Sequence, residues 1–140
     1  MEKPKVVADA SVVAKWFLDE QHSEEARLLR DAFATGKLTL AVPSLLFYET
    51  LNALRYTGLY SEDDLALIAR SLNQYGFDVW EPLGKLYEEI ARTSIRYNIT
   101  VYDAAYIALG AHLGASFHTA DAELVNKGLA QHIKNFKAEA

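Results

Sequence analysis

The sequence predicts a three-layer α/β/α sandwich built on a short, mainly parallel sheet. Three observations carry that expectation. Apolar runs of strand length recur along the chain, helical apolar stripes separate them, and 140 residues suffice for one hydrophobic core. Strands that alternate with helical crossovers pair in parallel, and a parallel sheet needs helices on both faces. No linker, repeat or change in composition divides the chain, so residues 1–140 read as one domain.

Lys5 to Ala8 is a short apolar run ending at Asp9, and Val12, Val13, Trp16 and Phe17 then form a helical stripe over Ser11 to Leu18. Ser23 to Ala34 repeats the helical pattern, with Glu24 and Glu25 where the helix dipole favours acids and Gly36 beyond the end. Leu38 to Val42 is a strand stopped by Pro43, and Ser44 to Tyr56 is a largely buried helix closed by Gly58. Ser61 and Asp64 have capping-box spacing and open a helix that presents Leu65, Ile68 and Leu72. Phe77 to Trp80 is the next strand, and Glu81-Pro82 starts a helix whose stripe runs from Leu83 to Ile95. An alanine-rich helix over Thr100 to Leu113, a strand over Ala115 to His118, a helix over Asp121 to Leu129 and an edge strand near Ile133 complete the pattern.

Composition narrows the chemistry. The chain is 51% hydrophobic and 24% charged, which excludes a disordered chain. Cysteine is absent, so disulfide frameworks, thiolate zinc sites and cysteine nucleophiles are excluded together. Neither a signal peptide nor an apolar stretch long enough to span a membrane is present, and the expected location is cytoplasmic. A net charge of −5 argues against holding nucleic acid by bulk positive charge, so any such attraction is local or metal-mediated.

In open parallel sheets the functional crevice lies beyond the carboxyl ends of the strands. Asp9 follows the first strand directly, and Asp121 sits at a later strand-to-helix turn. Asp103 falls in the first turn of the alanine-rich helix, beside the small Ala104 and Ala105. Glu49 projects from a helix face shared with Leu45, Leu46 and Ala53, where a carboxylate is out of place. Each acid also has a plainer reading. Asp9 and Asp121 can be helix caps, Asp103 can complete a capping box with Thr100, and Glu49 can reach solvent at the helix rim. Gathered at one edge they repel: two carboxylates about 4 Å apart repel by about 4 kcal/mol at an effective dielectric near 20. A divalent cation relieves that repulsion, and all-oxygen ligation suits Mg²⁺ or Mn²⁺.

The run into Asp9-Ala10-Ser11, Glu49 followed by Asn52, the stretch Tyr102-Asp103-Ala104-Ala105-Tyr106-Ile107-Ala108-Leu109, and Thr119-Ala120-Asp121 together resemble the motif series of PIN domains. The likeness is closest to the VapC-type toxins of toxin–antitoxin pairs and spans nearly the whole chain. The resemblance implies a PIN-like fold and an endoribonuclease that uses Mg²⁺ or Mn²⁺ to activate water against an RNA phosphodiester. It also implies a homodimer and inhibition by a VapB-type antitoxin whose tail enters the acidic groove. Asp9, Glu49, Asp103 and Asp121 carry over as metal ligands and catalytic residues, with Ser11, Asn52 and Thr119 as polar support.

Several features stand beside that reading. His118 departs from an apolar strand pattern; its imidazole either lines the groove or is a satisfied strand-end histidine, the second being the plainer reading. Lys15, Arg55 and Lys127 each follow one of the acids by six residues and either place positive charge near phosphate or are solvated. Trp16, Phe17, Phe47 and Tyr48 are core residues or anchors for a partner. The four histidines form no H-E-x-x-H pair, and no P-loop, G-x-G-x-x-G or G-x-S-x-G is present. The alternative function is a non-enzymatic α/β module, either a receiver-like phosphoacceptor or a PIN domain that only binds.

Overall fold

Five strands form one parallel sheet in the order β3-β2-β1-β4-β5. A computed structural model of the chain describes residues 2–137. In chain order the elements are β1 (Lys5–Ala8), α1 (Ala10–Val13), α2 (Ser23–Ala34), β2 (Thr39–Pro43), α3 (Leu45–Arg55), α4 (Glu62–Gln74) and β3 (Asp78–Trp80). They continue with α5 (Gly84–Tyr97), α6 (Val101–Leu113), β4 (Ser116–Thr119), α7 (Ala122–Asn126) and β5 (Gln131–His132). The expected three-layer architecture is the one observed. The sheet runs outward from β1 to β2 to β3, then returns through α5 and α6 to place β4 on the other side of β1. With right-handed crossovers that reversal puts α5 and α6 on the face opposite α1 to α4. It also opens a crevice between the carboxyl ends of β1 and β4. A receiver-type sheet is ordered 2-1-3-4-5, so the strand order does not favour the phosphoacceptor alternative.

The core follows the sequence pattern. Val6, Val7 and Ala8 of β1 and Leu40, Ala41 and Val42 of β2 are buried, as expected for central strands covered on both faces. On one face Trp16, Phe33, Tyr75 and Phe77 form an aromatic cluster with ring centroids 5.1–6.3 Å apart. On the other, α6 packs across β1, β2 and β4, and Tyr106 stacks on Phe117 at 5.9 Å. That approach depends on Gly110: a Cβ there would meet the Ala115 carbonyl at 3.2 Å and the Phe117 Cβ at 3.7 Å. Of the four aromatics with two readings, Trp16 is buried and Phe17 and Phe47 are partly buried, whereas Tyr48 is 78% exposed.

Boundaries differ from expectation for local reasons. The first helix begins at Ala10, one residue early, because Asp9 caps it, and it tightens into a 3-10 turn over Ala14–Phe17. Glu81 and Pro82 lie outside α5: the Leu83 amide donates to the Glu81 carbonyl at 2.8 Å in a turn, and the helix starts at Gly84. The last helix ends at Asn126, three residues short of Leu129, with Gly128 in the left-handed region at φ 76°. The edge strand is Gln131–His132, and Ile133 belongs to a 3-10 turn with its side chain fully buried.

Candidate functional site

The crevice between β1 and β4 is tied together by hydrogen bonds between residues more than a hundred positions apart. The Thr119 hydroxyl donates to Asp9 Oδ2 at 2.6 Å, while the Ser11 amide and hydroxyl donate to Asp9 Oδ1 at 3.1 and 2.5 Å. Ser11 Oγ in turn accepts from the Ala120 amide at 2.9 Å, and Thr119 Oγ1 accepts from the Asp121 amide at 3.0 Å. Ser11 and Thr119 therefore support Asp9 directly and lock the two strand ends in register. Asp9 does cap α1, as its plainer reading held, but it is also a carboxylate only 8% exposed. Burial raises its pKa from 3.8 to about 6; the Ser11, Thr119 and Val12 hydrogen bonds work against that rise, and the Asp103 charge adds to it.

The four acids reach one groove by different routes. Asp121 caps α7, accepting from the Glu123 amide at 2.9 Å. Asp103 stands in the first turn of α6, where Thr100 Oγ1 accepts from its backbone amide at 3.0 Å; only Thr100's half of the expected capping box forms. Glu49 comes from α3 and is fixed by the Tyr106 hydroxyl, which donates to Oε1 at 2.6 Å. Burial raises the pKa of Glu49 and of Asp103, and the neighbouring carboxylates add to it, Asp103 acting on Glu49 and Asp121 on Asp103. Asp9, Ser11, Glu49, Asn52, Asp103 and Asp121 all line one cavity of about 560 Å³, and Thr119 stands behind it as the partner of Asp9.

Two residues of this edge carry no signal as single sequence positions. Tyr106 is 2% exposed and its acidity is suppressed by burial and by the Glu49 carboxylate. Its place one helical turn beyond Asp103, within the same motif stretch, is the hint it offers. Glu20 also lines the cavity, from a loop the apolar pattern leaves blank. Lys15 reaches the same cavity, but its ammonium is engaged by Glu20 at 2.9 Å and by the Gln21 carbonyl at 2.9 Å. Arg55 instead lies over the Tyr56 ring at 4.7 Å, and Lys127 donates to the Tyr97 carbonyl at 3.4 Å. His118 does not line the cavity: it is buried, its Nε2 lies 3.2 Å from Ser116 Oγ, and its Nδ1 has no partner among the described residues. The expectation of a satisfied histidine is thus half met, and burial lowers its pKa.

The donor set fits a hard divalent cation. It is all oxygen, it carries several negative charges, and three of its members are driven toward protonation by burial and, to a lesser degree, by the charge of a neighbouring carboxylate. Among the described residues no three acidic or histidine side chains converge on one point as a closed cage would require. An octahedral ion that keeps several waters does not need such a cage, since one or two carboxylates hold it and the cavity accommodates the waters.

The chain and its fold are similar to those of known proteins. Ribonuclease VapC3 of Pyrobaculum aerophilum is 32% identical over 135 residues, covering 88% of this chain and 94% of that protein. The crystal structure of PAE2754 from Pyrobaculum aerophilum superposes with a TM-score of 0.66 at 26% identity, covering 96% of this chain and 93% of the other. VapC20 of Mycobacterium tuberculosis, a sarcin-ricin loop cleaving toxin, superposes with a TM-score of 0.67 over 89% of this chain and 96% of its own; at 15% identity that likeness concerns the fold alone. The family model of the PIN domain matches residues 6–128, and with it the relative at 32% identity, so the chain belongs to the PIN domain family.

Proposed function

We propose that the protein is a metal-dependent endoribonuclease, the VapC-type toxin of a toxin–antitoxin pair, acting as one domain over residues 1–140. The observation that carries the proposal is the buried Asp9 at the β1–β4 crevice, raised to a pKa of about 6 among Glu49, Asp103 and Asp121. Its likeness to Ribonuclease VapC3 supports RNA as the substrate class.

Asp9, Glu49, Asp103 and Asp121 would hold Mg²⁺ or Mn²⁺ between them, one or two directly and the others through its waters, and the ion when bound lowers the pKa of water and neutralises charge on a phosphodiester. The chain's own residues do the positioning. Ser11 and Thr119 hold both oxygens of Asp9, and their hydrogen bonds favour its ionised form against burial. Tyr106 occupies Glu49 Oε1 and thereby sets the carboxylate's orientation at the groove. Asn52, on the α3 face that carries Glu49, adds a neutral amide to the groove wall. The test is cleavage of structured RNA with Mg²⁺, Mn²⁺ or chelator, comparing wild type with Asp9→Asn and Asp103→Asn. Cutting that survives in chelator, or in both variants, sinks the mechanism.

Two apolar features support protein partners. A cavity of about 600 Å³ between α3 and α4, lined by Phe47, Tyr48, Leu51, Leu65 and Leu72, supports capture of a VapB-type antitoxin segment. Exposed Leu83, Tyr87, Val101 and Tyr102 at the start of α5 and α6 support a homodimer. No described helix is long and apolar enough to cross a membrane, and the chain without cysteine suits a cytoplasmic location.

A further inference from the structure

We propose that the groove between α5 and α6 is a track for the phosphodiester backbone of RNA, carrying the strand away from the acidic edge; this rests on the ribonuclease reading. A chain of net charge −5 whose crevice is lined with carboxylates repels a polyanion, so attraction must come from a local concentration of cations. The charges of Lys15, Arg27 and Arg30 are spent within the chain, each contacting a carboxylate at 2.9–3.0 Å. Lys85, Arg92 and Arg96 differ. Among the described residues none of them has a carboxylate within 4.0 Å, and all three border one groove of about 490 Å³.

Helical spacing puts the three on one side of α5, facing Ala108, Ala111 and His112 of α6. The alanine floor leaves the backbone of an incoming strand room to lie low. The one acid bordering the groove, Glu89, is engaged by His112 Nδ1 at 3.1 Å. Two guanidinium forks and an ammonium match a row of phosphates, and such contacts hold the strand without reading its bases.

The row also has the right direction. Arg96 lies in the last turn of α5, and a short connection over Asn98 to Thr100 leads into the first turn of α6, where Asp103 stands. Lys127, just past the helix that Asp121 caps, touches the Tyr97 carbonyl. The Arg96 end therefore adjoins the acidic edge, and Lys85 lies about 16 Å away along the helix axis.

The experiment measures binding of a labelled single-stranded RNA in EDTA across a salt series, and KM and kcat for its cleavage with Mg²⁺. It compares wild type, Arg92→Ala/Arg96→Ala, Lys85→Glu and, as control, Arg70→Ala on the exposed side of α4. The double variant should bind about tenfold more weakly at low salt, with a log–log salt slope shallower by about 1.4, as two lost phosphate contacts give on a single strand. Lys85→Glu should weaken binding too, and both should raise KM while kcat holds. Affinity and slope equal to wild type in both variants, or an equal loss in Arg70→Ala, overturns the track while leaving the ribonuclease reading intact. Loss of binding to polyglutamate with RNA binding unchanged overturns it as well, assigning the groove to an acidic protein segment. A wild type that cuts no RNA with either ion defeats the ribonuclease reading instead, and the comparison in EDTA still decides the track.

Discussion

Asp9 and Tyr106 hold the acidic edge in opposite ways. Asp9 is a charge kept where burial disfavours it, with every hydrogen bond around it working to keep it ionised. Tyr106 is a neutral donor whose deprotonation is suppressed, so it acts as a fixed arm on Glu49 rather than as an acid. Tyr106→Phe keeps the ring on Phe117 and removes only the hydroxyl, leaving Glu49 Oε1 partly buried without its donor. The expected result is a loss of roughly 1–3 kcal/mol in stability by denaturant titration, with Mn²⁺ binding weakened several-fold by calorimetry. Unchanged metal affinity would reduce Tyr106 to a packing residue. The acids themselves were legible because a carboxylate at a strand end or on an apolar helix face violates a local rule. Tyr106 was not, because a tyrosine inside an apolar helix satisfies every local rule; its role depends on α3 lying opposite.

At the scale of elements, the start of α6 does two jobs. Thr100 accepts from the Asp103 amide and so ends the loop from α5, and the same bond fixes the turn from which the Asp103 carboxylate faces the groove. Thr100→Ala should cost about 1 kcal/mol of stability through the lost cap. It should lower cleavage more than that loss of folded population explains, a comparison made well below the melting temperature. Thr100→Ser restores the hydroxyl and should recover both. The order of strands and helices was legible from periodicity, yet Pro82 misplaced the start of α5. Proline suits the first turn of a helix, but here the Ser44 hydroxyl donates to Glu81 at 3.0 Å and Leu83 closes a turn, holding the segment against β2's end. Such tertiary capture of a helix start leaves no trace in local sequence.

For the whole molecule, opposite shifts compete across mildly acidic pH. His118 and His132 have pKa values lowered below 6.5, His118 by burial and His132 by burial together with the charges of His22, Lys134 and Lys15. Over the window just below 6.5 the unfolded chain binds more protons at these sites, so their contribution to stability grows as pH rises. Asp9 acts the other way: with a folded value of about 6 against 3.8, the folded chain binds more protons between those values, and stability declines as pH rises through them. Its ionisation at neutral pH opposes folding by on the order of 3 kcal/mol. Asp9→Asn should therefore melt higher than wild type at pH 7 in chelator and gain stability more steeply from pH 5 to pH 7, and added Mg²⁺ should raise the melting temperature of wild type but not of the variant. A variant less stable than wild type at pH 7 would contradict the strain assigned to Asp9.

The pairing of β1 with β4 sets when the site exists as well as where. Asp9 is synthesised 110 residues before Thr119 and its neighbours Ala120 and Asp121, and the crevice has no second wall until they arrive. A nascent chain still tethered beside messenger and ribosomal RNA thus carries scattered acids rather than a finished site. The acidic edge is assembled only once β4 has been made.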